Sequence, residues 1–598
     1  MLTNRCYALA ALLVCAPAFG QVMGYPGQVG LTPPPSNSKP EDRCVLQGRV
    51  TNALTGEPLK KAAVRLTRQM TVTTDSPTAQ QGYSTTSEAD GSFKIENIEP
   101  GNYHLSGNRS GYLDTQYGAK GAGQRGSTIT LRPAQQLANI NLALTPQAVI
   151  SGKVVDQDGD PVSNAMVQLV GQMWQRGKLR HMMQNGSNSN DLGEYRIANV
   201  RPGKYYLVVQ RMRFPQDTEA SPEAGKPDIR PVKTFYPEAP NLSSATPLDV
   251  KAGQDLSGMD IRLRSAATYH IRGKIVGTVP EGASDRLTLN ASARDEQDMM
   301  SFFGGGTTVT KDHTFDLAGI SPGSYTLNLF TMGGQLRTLG RQDVDVGQGD
   351  VNDVQVMIVP PGTLRGQISV EGNPPTGSTP ANLKNVRVFL GPADMSMMMF
   401  GNNNVTPKDD GSFTMENVSP GKYYVNTNSP SGTYLKSVRF GNQDILGKEL
   451  DLTQGSGQVT LIFSYGVAEV DGTVQFPQTT AASSDSSSNA QPNATPDASI
   501  VLVPETLHED GSGMHFGNSG SGGSFTVKQV PPGHYRAYAF EKPDYQQMQN
   551  PDVLKQLESK GTDVELKEND KKQIQLPLIT ADDMQQIYLK LGLDVPQD

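Results

Sequence analysis

Apolar and polar residues alternate in short runs along most of the chain, and glycine, proline, asparagine or aspartate bound each run. Phe93 and Ile95 alternate with Lys94 and Glu96, and Tyr103 and Leu105 with His104. A period of two predicts β-strands with one buried face. The pattern recurs five times: DGSFKIENIEPGNYHL at 90–105, LGEYRIANVRPGKYYL at 192–207, DHTFDLAGISPGSYTL at 312–327, DGSFTMENVSPGKYYV at 410–425 and GGSFTVKQVPPGHYRA at 522–537. Each copy reads turn, aromatic, x, apolar, two residues, apolar, x, Pro-Gly, x, Tyr. Proline presets φ at the second position of a turn and glycine supplies a positive φ at the third, so Pro-Gly predicts a type II turn closing a hairpin. The turn residues are Pro100 and Gly101, Pro202 and Gly203, Pro322 and Gly323, Pro420 and Gly421, and Pro532 and Gly533. The tyrosines that follow, Tyr103, Tyr205, Tyr325, Tyr423 and Tyr535, are expected to bury their rings and bond their hydroxyls to nearby backbone.

An opening strand precedes each copy, and a glycine lies just inside it: Gly48, Gly152, Gly273, Gly366 and Gly472. A glycine within a strand marks a bulge or the close approach of another backbone. Modules of roughly 100 residues with about seven strands predict an all-β chain: a tandem array of about five antiparallel β-sandwich domains. The expected bounds are 45–145, 146–265, 266–360, 361–465 and 466–577. Residues 477–497, PQTTAASSDSSSNAQPNATPD, read as a disordered loop within the fifth, and 578–598 as a C-terminal tail. Two short helices are expected near the end, one capped by Asn550 with Pro551 at its first position, the other over ADDMQQIYLKLG.

Residues 1–20 read as a secretory signal: Arg5, an apolar run from Tyr7 to Ala16, then the small-x-small ending Ala18-Phe19-Gly20. A lipobox at Cys15 is the alternative, with Val14 a poor neighbour for it. A Pro/Gly-rich linker fills 21–44. Export to the periplasm, cell envelope or medium follows. Cys6 and Cys15 fall in the signal, so Cys44 has no internal disulfide partner. Nothing downstream reaches the roughly 18 consecutive apolar residues of a membrane span. A net charge of −8, thinly spread, offers no basic block for nucleic acid.

The run G-R-V-T…G-E-P-L…A-x-V-R-L…D-G-S-F-x-I…I-E-P-G-N-Y-x-L in the first module resembles the carboxypeptidase regulatory-like domain, and the second module matches almost as well. Modules three to five share the opening strand and closing segment. The last stretch resembles the end of secreted acidobacterial proteins built from such modules. The resemblance implies a transthyretin-like (prealbumin-like) sandwich, grouped with carbohydrate-binding-like folds, and so carbohydrate as a ligand class. It implies no catalysis, because this domain is the non-catalytic appendage of zinc carboxypeptidases.

The residues themselves supply no catalytic set. None of the seven histidines has the spacing of a His-x-x-Glu zinc site. GISPG at 319–323 has the Gly-x-Ser-x-Gly spacing but is the third copy of the repeated turn. Asp156, Asp158 and Asp160 cluster in DQDGD and read as a solvated turn rather than a calcium site. No cofactor or metal is assigned. The candidate partner-binding residues are methionines and phenylalanines set among Gly, Asn and Ser: Met182, Met183; Met299, Met300, Phe302, Phe303; Met395, Met397, Met398, Met399, Phe400; Met514 and Phe516. On loops they would form adaptable apolar contacts with an extracellular protein or a sugar, or, as soft thioethers, hold Cu(I). Gap-filling between adjacent modules is the competing structural explanation. The expected role is an exported, non-enzymatic binding or structural protein of the cell envelope; Cu(I) binding or a protein-adhesion scaffold is the alternative, and an unrecognised enzyme a remoter one.

Overall fold

The computed structural model describes residues 38–68, 81–119, 126, 128–211, 228–279, 287–294, 306–331, 337–394, 404–477, 498–520 and 522–593. The expected signal, most of the linker and most of 477–497 lie outside the described residues. The chain folds into five β-sandwiches in sequence order, with two α-helices near its C-terminus. Residues 45–144 of the first module belong to one compact unit, apart from Gly111–Leu113 and Lys120–Ala122, and modules two to five to another.

Each sandwich is assembled the same way. The opening strand pairs antiparallel with the strand that begins at the repeated aromatic, and parallel with the last strands of its module. In module one, Cys44–Asn52 pairs with Ser92–Ile98 on one side and Gln136–Leu144 on the other. The second sheet pairs Ala63–Arg68 with Gly82–Thr86 and with Gly101–Asn108. Alternate residues face inward, so Leu46, Val50, Phe93 and Ile95 of one sheet and Val64, Leu66, Tyr103 and Leu105 of the other are all buried.

The two strands flanking Pro-Gly therefore lie in different sheets. The expected hairpin does not form: Ser92–Ile98 pairs with the opening strand, whereas Gly101–Asn108 pairs across the sandwich with Ala63–Arg68. The same split of pairing partners holds in modules two to five, and in module five the last strand, Lys571–Ile579, pairs with both halves and joins them into one seven-stranded sheet. Pro-Gly is an arch, and four of its five glycines are more extended than a type II turn requires, with φ of 155° at Gly101, 151° at Gly203, 158° at Gly323 and 155° at Gly533. A tight turn returns the chain to a neighbour about 4.8 Å away, while stacked sheets stand about 10 Å apart, so the crossing needs an opened corner.

Modules two to four each enclose one main core. Phe330, from the third module's Gly323–Thr331 strand, joins the core of the fourth. Asp228–Pro231, from module two's stretch of chain, adds a strand to the third module's Ser265–Val276. Module five has two cores. The second lies on the outer face of its sheet, where Val501, Val503, Tyr538 and Phe540 are covered by Val553, Leu557, Met584 and Ile587 of the helices Pro551–Leu557 and Ala581–Leu591. Asn550 accepts from the Asp552 N–H, and Thr580 forms a capping box with Asp583.

Candidate functional site

The repeated motif builds a corner. In all five modules the tyrosine hydroxyl donates to the carbonyl four residues earlier, just before the proline: Tyr103 to Glu99 at 2.7 Å, Tyr205 to Arg201 at 3.0 Å, Tyr325 to Ser321 at 2.9 Å, Tyr423 to Ser419 at 2.6 Å and Tyr535 to Pro531 at 3.0 Å. The bond spans the arch, and in modules one, two, three and five the ring lies against the glycine. Burial pushes the hydroxyls of Tyr103, Tyr205, Tyr423 and Tyr535 up, to about 12 at the last two, so they stay neutral donors.

The strand glycines face the repeated aromatics. Gly48 stands opposite Phe93, Gly152 opposite Tyr195, Gly273 opposite Phe315, Gly366 opposite Phe413 and Gly472 opposite Phe525. A Cβ on Gly48 would sit 2.0 Å from the Ile140 carbonyl oxygen, and one on Gly273 1.9 Å from that of Val354. Just beyond, a left-handed residue recurs at Asn97, Asn199, Gly319, Asn417 and Gln529. There one residue of the opening strand opposes two of its partner, a β-bulge.

Polar groups on the sheets pair with one another. A shallow depression of about 520 Å³ on module two is lined by Ser151, Lys153, Asn190, Glu194, Arg196 and Asp260. There the Lys153 ammonium sits 3.3 Å from Glu194, and Asp260 accepts from the Lys153 N–H at 2.8 Å. In module three, Arg272 bridges Asp316 and Asp350 at 3.0 and 2.7 Å, and His270 Nδ1 lies 2.6 Å from Asp316. Asp156 accepts from the N–H groups of Asp158 and Asp160, capping its own turn. The thiol of Cys44 is buried and donates to the Arg132 carbonyl at 3.0 Å.

The methionine candidates are not one set of loops. Met182 and Met183 lie in the strand Lys178–Asn188, opposite Gly171 and Val170, because the reversal occurs earlier, at Arg176-Gly177. Met183 Sδ accepts from Gln168 Nε2. Met514 packs against the second core of module five, and Phe516 falls in the strand His515–Asn518. Phe516 is exposed and meets Tyr545 edge-on, with ring centroids 5.4 Å apart at 82°. Met299, Met300, Phe302, Phe303, Met395, Met397, Met398, Met399 and Phe400 lie outside the described residues.

The five corners and their glycine–aromatic pairs recur along the chain. Two modules match the carboxypeptidase regulatory-like domain. The matched residues are 45–145 and 149–264. No curated protein matches the chain. Among solved structures, a minor pilin of Streptococcus agalactiae aligns at 13% identity over 40% of this chain and 99% of its own, with a TM-score of 0.20. The major pilin subunit of Bacillus cereus aligns at 10% identity over 71% and 99%, with a TM-score of 0.14. Two B repeat units of the collagen-binding protein of Staphylococcus aureus align at 12% identity over 71% and 99%, with a TM-score of 0.13. Scores this low carry no argument about the present chain. Among the described residues no helix is long and apolar enough to cross a membrane.

Proposed function

We propose that the chain is an exported, non-enzymatic binding or structural protein of the cell envelope, its modules bounded near 45–145, 146–265, 266–360, 361–465 and 466–577. One observation carries this reading: the residues that repeat are all engaged inside the sandwich. Proline and glycine make the arch, tyrosine closes it, and the strand glycine admits the aromatic. What recurs is scaffold, so contact with a partner falls to surfaces that differ between modules.

Carbohydrate is the ligand class suggested by the regulatory-like domain. The exposed Phe516–Tyr545 pair is the apolar surface on which to seek it, or a protein partner. A glycan array probed with the full chain and with Phe516→Ala/Tyr545→Ala tests this. Binding lost in the variant supports a sugar site there, and no binding by the parent overturns the carbohydrate reading. Cu(I) uptake is the second reading, motivated by Met395, Met397, Met398 and Met399. Equal uptake after all four become leucine ends it.

A further inference from the structure

The strands Ala165–Gln175 and Lys178–Asn188 outrun their sheet. Gly203–Arg211 pairs with the first only as far as Gly171. Beyond that, Gln172–Gln175 and Lys178–His181 pair only with each other within the sheet, as a two-stranded arm. Such a ribbon is marginal by itself, so a fixed position demands contacts at its end. The end is Arg176-Gly177, with φ of 56° and 68°, a type I′ turn.

That turn is held by two other modules. The Arg176 N–H donates to Gln549 Oε1 at 2.7 Å, and its guanidinium donates to the Pro392 carbonyl at 3.2 Å. The guanidinium carbon lies 4.4 Å from the centre of the Tyr424 ring. Tyr424 is 6% exposed, so the ring is a fixed wall. Pro392 and Tyr424 belong to module four and Gln549 to module five. Gly511 closes the far side: a Cβ there would lie 3.7 Å from the Arg176 Cα. Burial pushes the Tyr424 hydroxyl up, Glu449, Glu509 and Asp510 add to the rise, and Arg176 opposes it, so the surroundings are acidic.

A ring face, a carbonyl and an acidic field together match a planar cation; a lysine ammonium would give up the flat stacking and the forked donors. We propose that modules four and five form a binding site for the arginine of a tight β-turn. Arg176 fills it in cis, and the arm thereby latches modules two to five into one compact body.

Limited trypsin digestion of the full chain tests the latch, because Arg176–Gly177 is itself a tryptic bond at an exposed kind of turn. In the wild type this bond resists. Gln549→Ala, which removes one surface acceptor and leaves the cores intact, exposes it to cleavage at least ten-fold faster. Replacing Gln172–His181 by Asn-Gly empties the site, and a cyclised peptide of residues 172–181 then binds that variant but not the wild type. Rapid wild-type cleavage at Arg176–Gly177, or equal peptide binding by both chains, overturns the proposal.

Discussion

Replacing Gly48 by alanine tests whether the strand glycines exist for close approach. The added Cβ would meet the Ile140 carbonyl oxygen at 2.0 Å, the Ile140 carbonyl carbon at 2.8 Å and its Cβ at 2.9 Å. All three belong to the parallel partner strand, and two are backbone, so no rotamer relieves the clash. The strands must part by about 1 Å or more to reach tolerable contact. Overpacking costs about 1–3 kcal/mol, and each ladder bond lost in the separation adds about 1 kcal/mol. We therefore expect a loss of about 3 kcal/mol confined to module one. Hydrogen exchange of the amides in Cys44–Asn52 and Gln136–Leu144 measures it, as roughly a hundred-fold faster exchange. Gly56→Ala is the internal reference: its Cβ meets nothing within 4 Å, and only its φ of 71° penalises alanine. That penalty is about 1 kcal/mol. A Gly48→Ala chain exchanging no faster than Gly56→Ala would refute the packing argument.

Three further outcomes follow, two of them from the repeated elements. Tyr423→Phe removes the bond to the Ser419 carbonyl inside a buried corner; we expect about 1–3 kcal/mol of destabilisation in module four, read by hydrogen exchange. Gln529 holds a φ of 58°, where three other modules have asparagine; Gln529→Asn should stabilise module five by about 0.5–1 kcal/mol in denaturant titration. Burial pushes the His515 imidazole down to about 4 from its usual 6.5. The unfolded chain then binds the extra proton first, so module five is fully stable above pH 6.5 and loses on the order of 3 kcal/mol as the pH falls to 4. His515→Phe should flatten that profile, and an unchanged slope would assign it to other groups.

Much of each sandwich was legible in the sequence because its causes are local. The alternation of Phe93 and Ile95, the strand glycines and the corner tyrosines all report on residues a few positions away. The crossing between sheets was not legible in the same way. Alternating strands joined by Pro-Gly fit a hairpin and an arch equally, and only the choice of partner strand distinguishes them. A signal was nonetheless present: Ile95 and Ile98 are three apart, which breaks the period of two. The bulge at Asn97 absorbs that extra residue, as Asn199, Gly319, Asn417 and Gln529 do in the other modules. For the methionines, the Arg-Gly turn lacks the Asn-Gly signature of a type I′ hairpin, so Met182 and Met183 read as loop. Arg176 itself was beyond local pattern, since its partner Gln549 is 373 residues away.

The arm shows how one module can contact others that do not follow it directly. Its two strands have 11 residues each, and Gln172–Gln175 run past the last residue paired with Gly203–Arg211. At about 3.3 Å per residue, that overhang extends the ribbon by roughly 13 Å without altering the core face. The core residues Ala165, Val167 and Leu169 all precede the arm. Deleting the facing pairs Gln172 with His181 and Met173 with Arg180 removes two residues per strand. An even number preserves which side chains face inward. The reach falls by about 7 Å, while the bonds of Arg176 to Gln549 and Pro392 span only 2.7 and 3.2 Å. The shortened chain should keep module two's stability and expose Arg176–Gly177 to trypsin as Gln549→Ala does. A shortened arm that remains protected would mean that the ends of modules four and five move to meet it, and the length argument would fail.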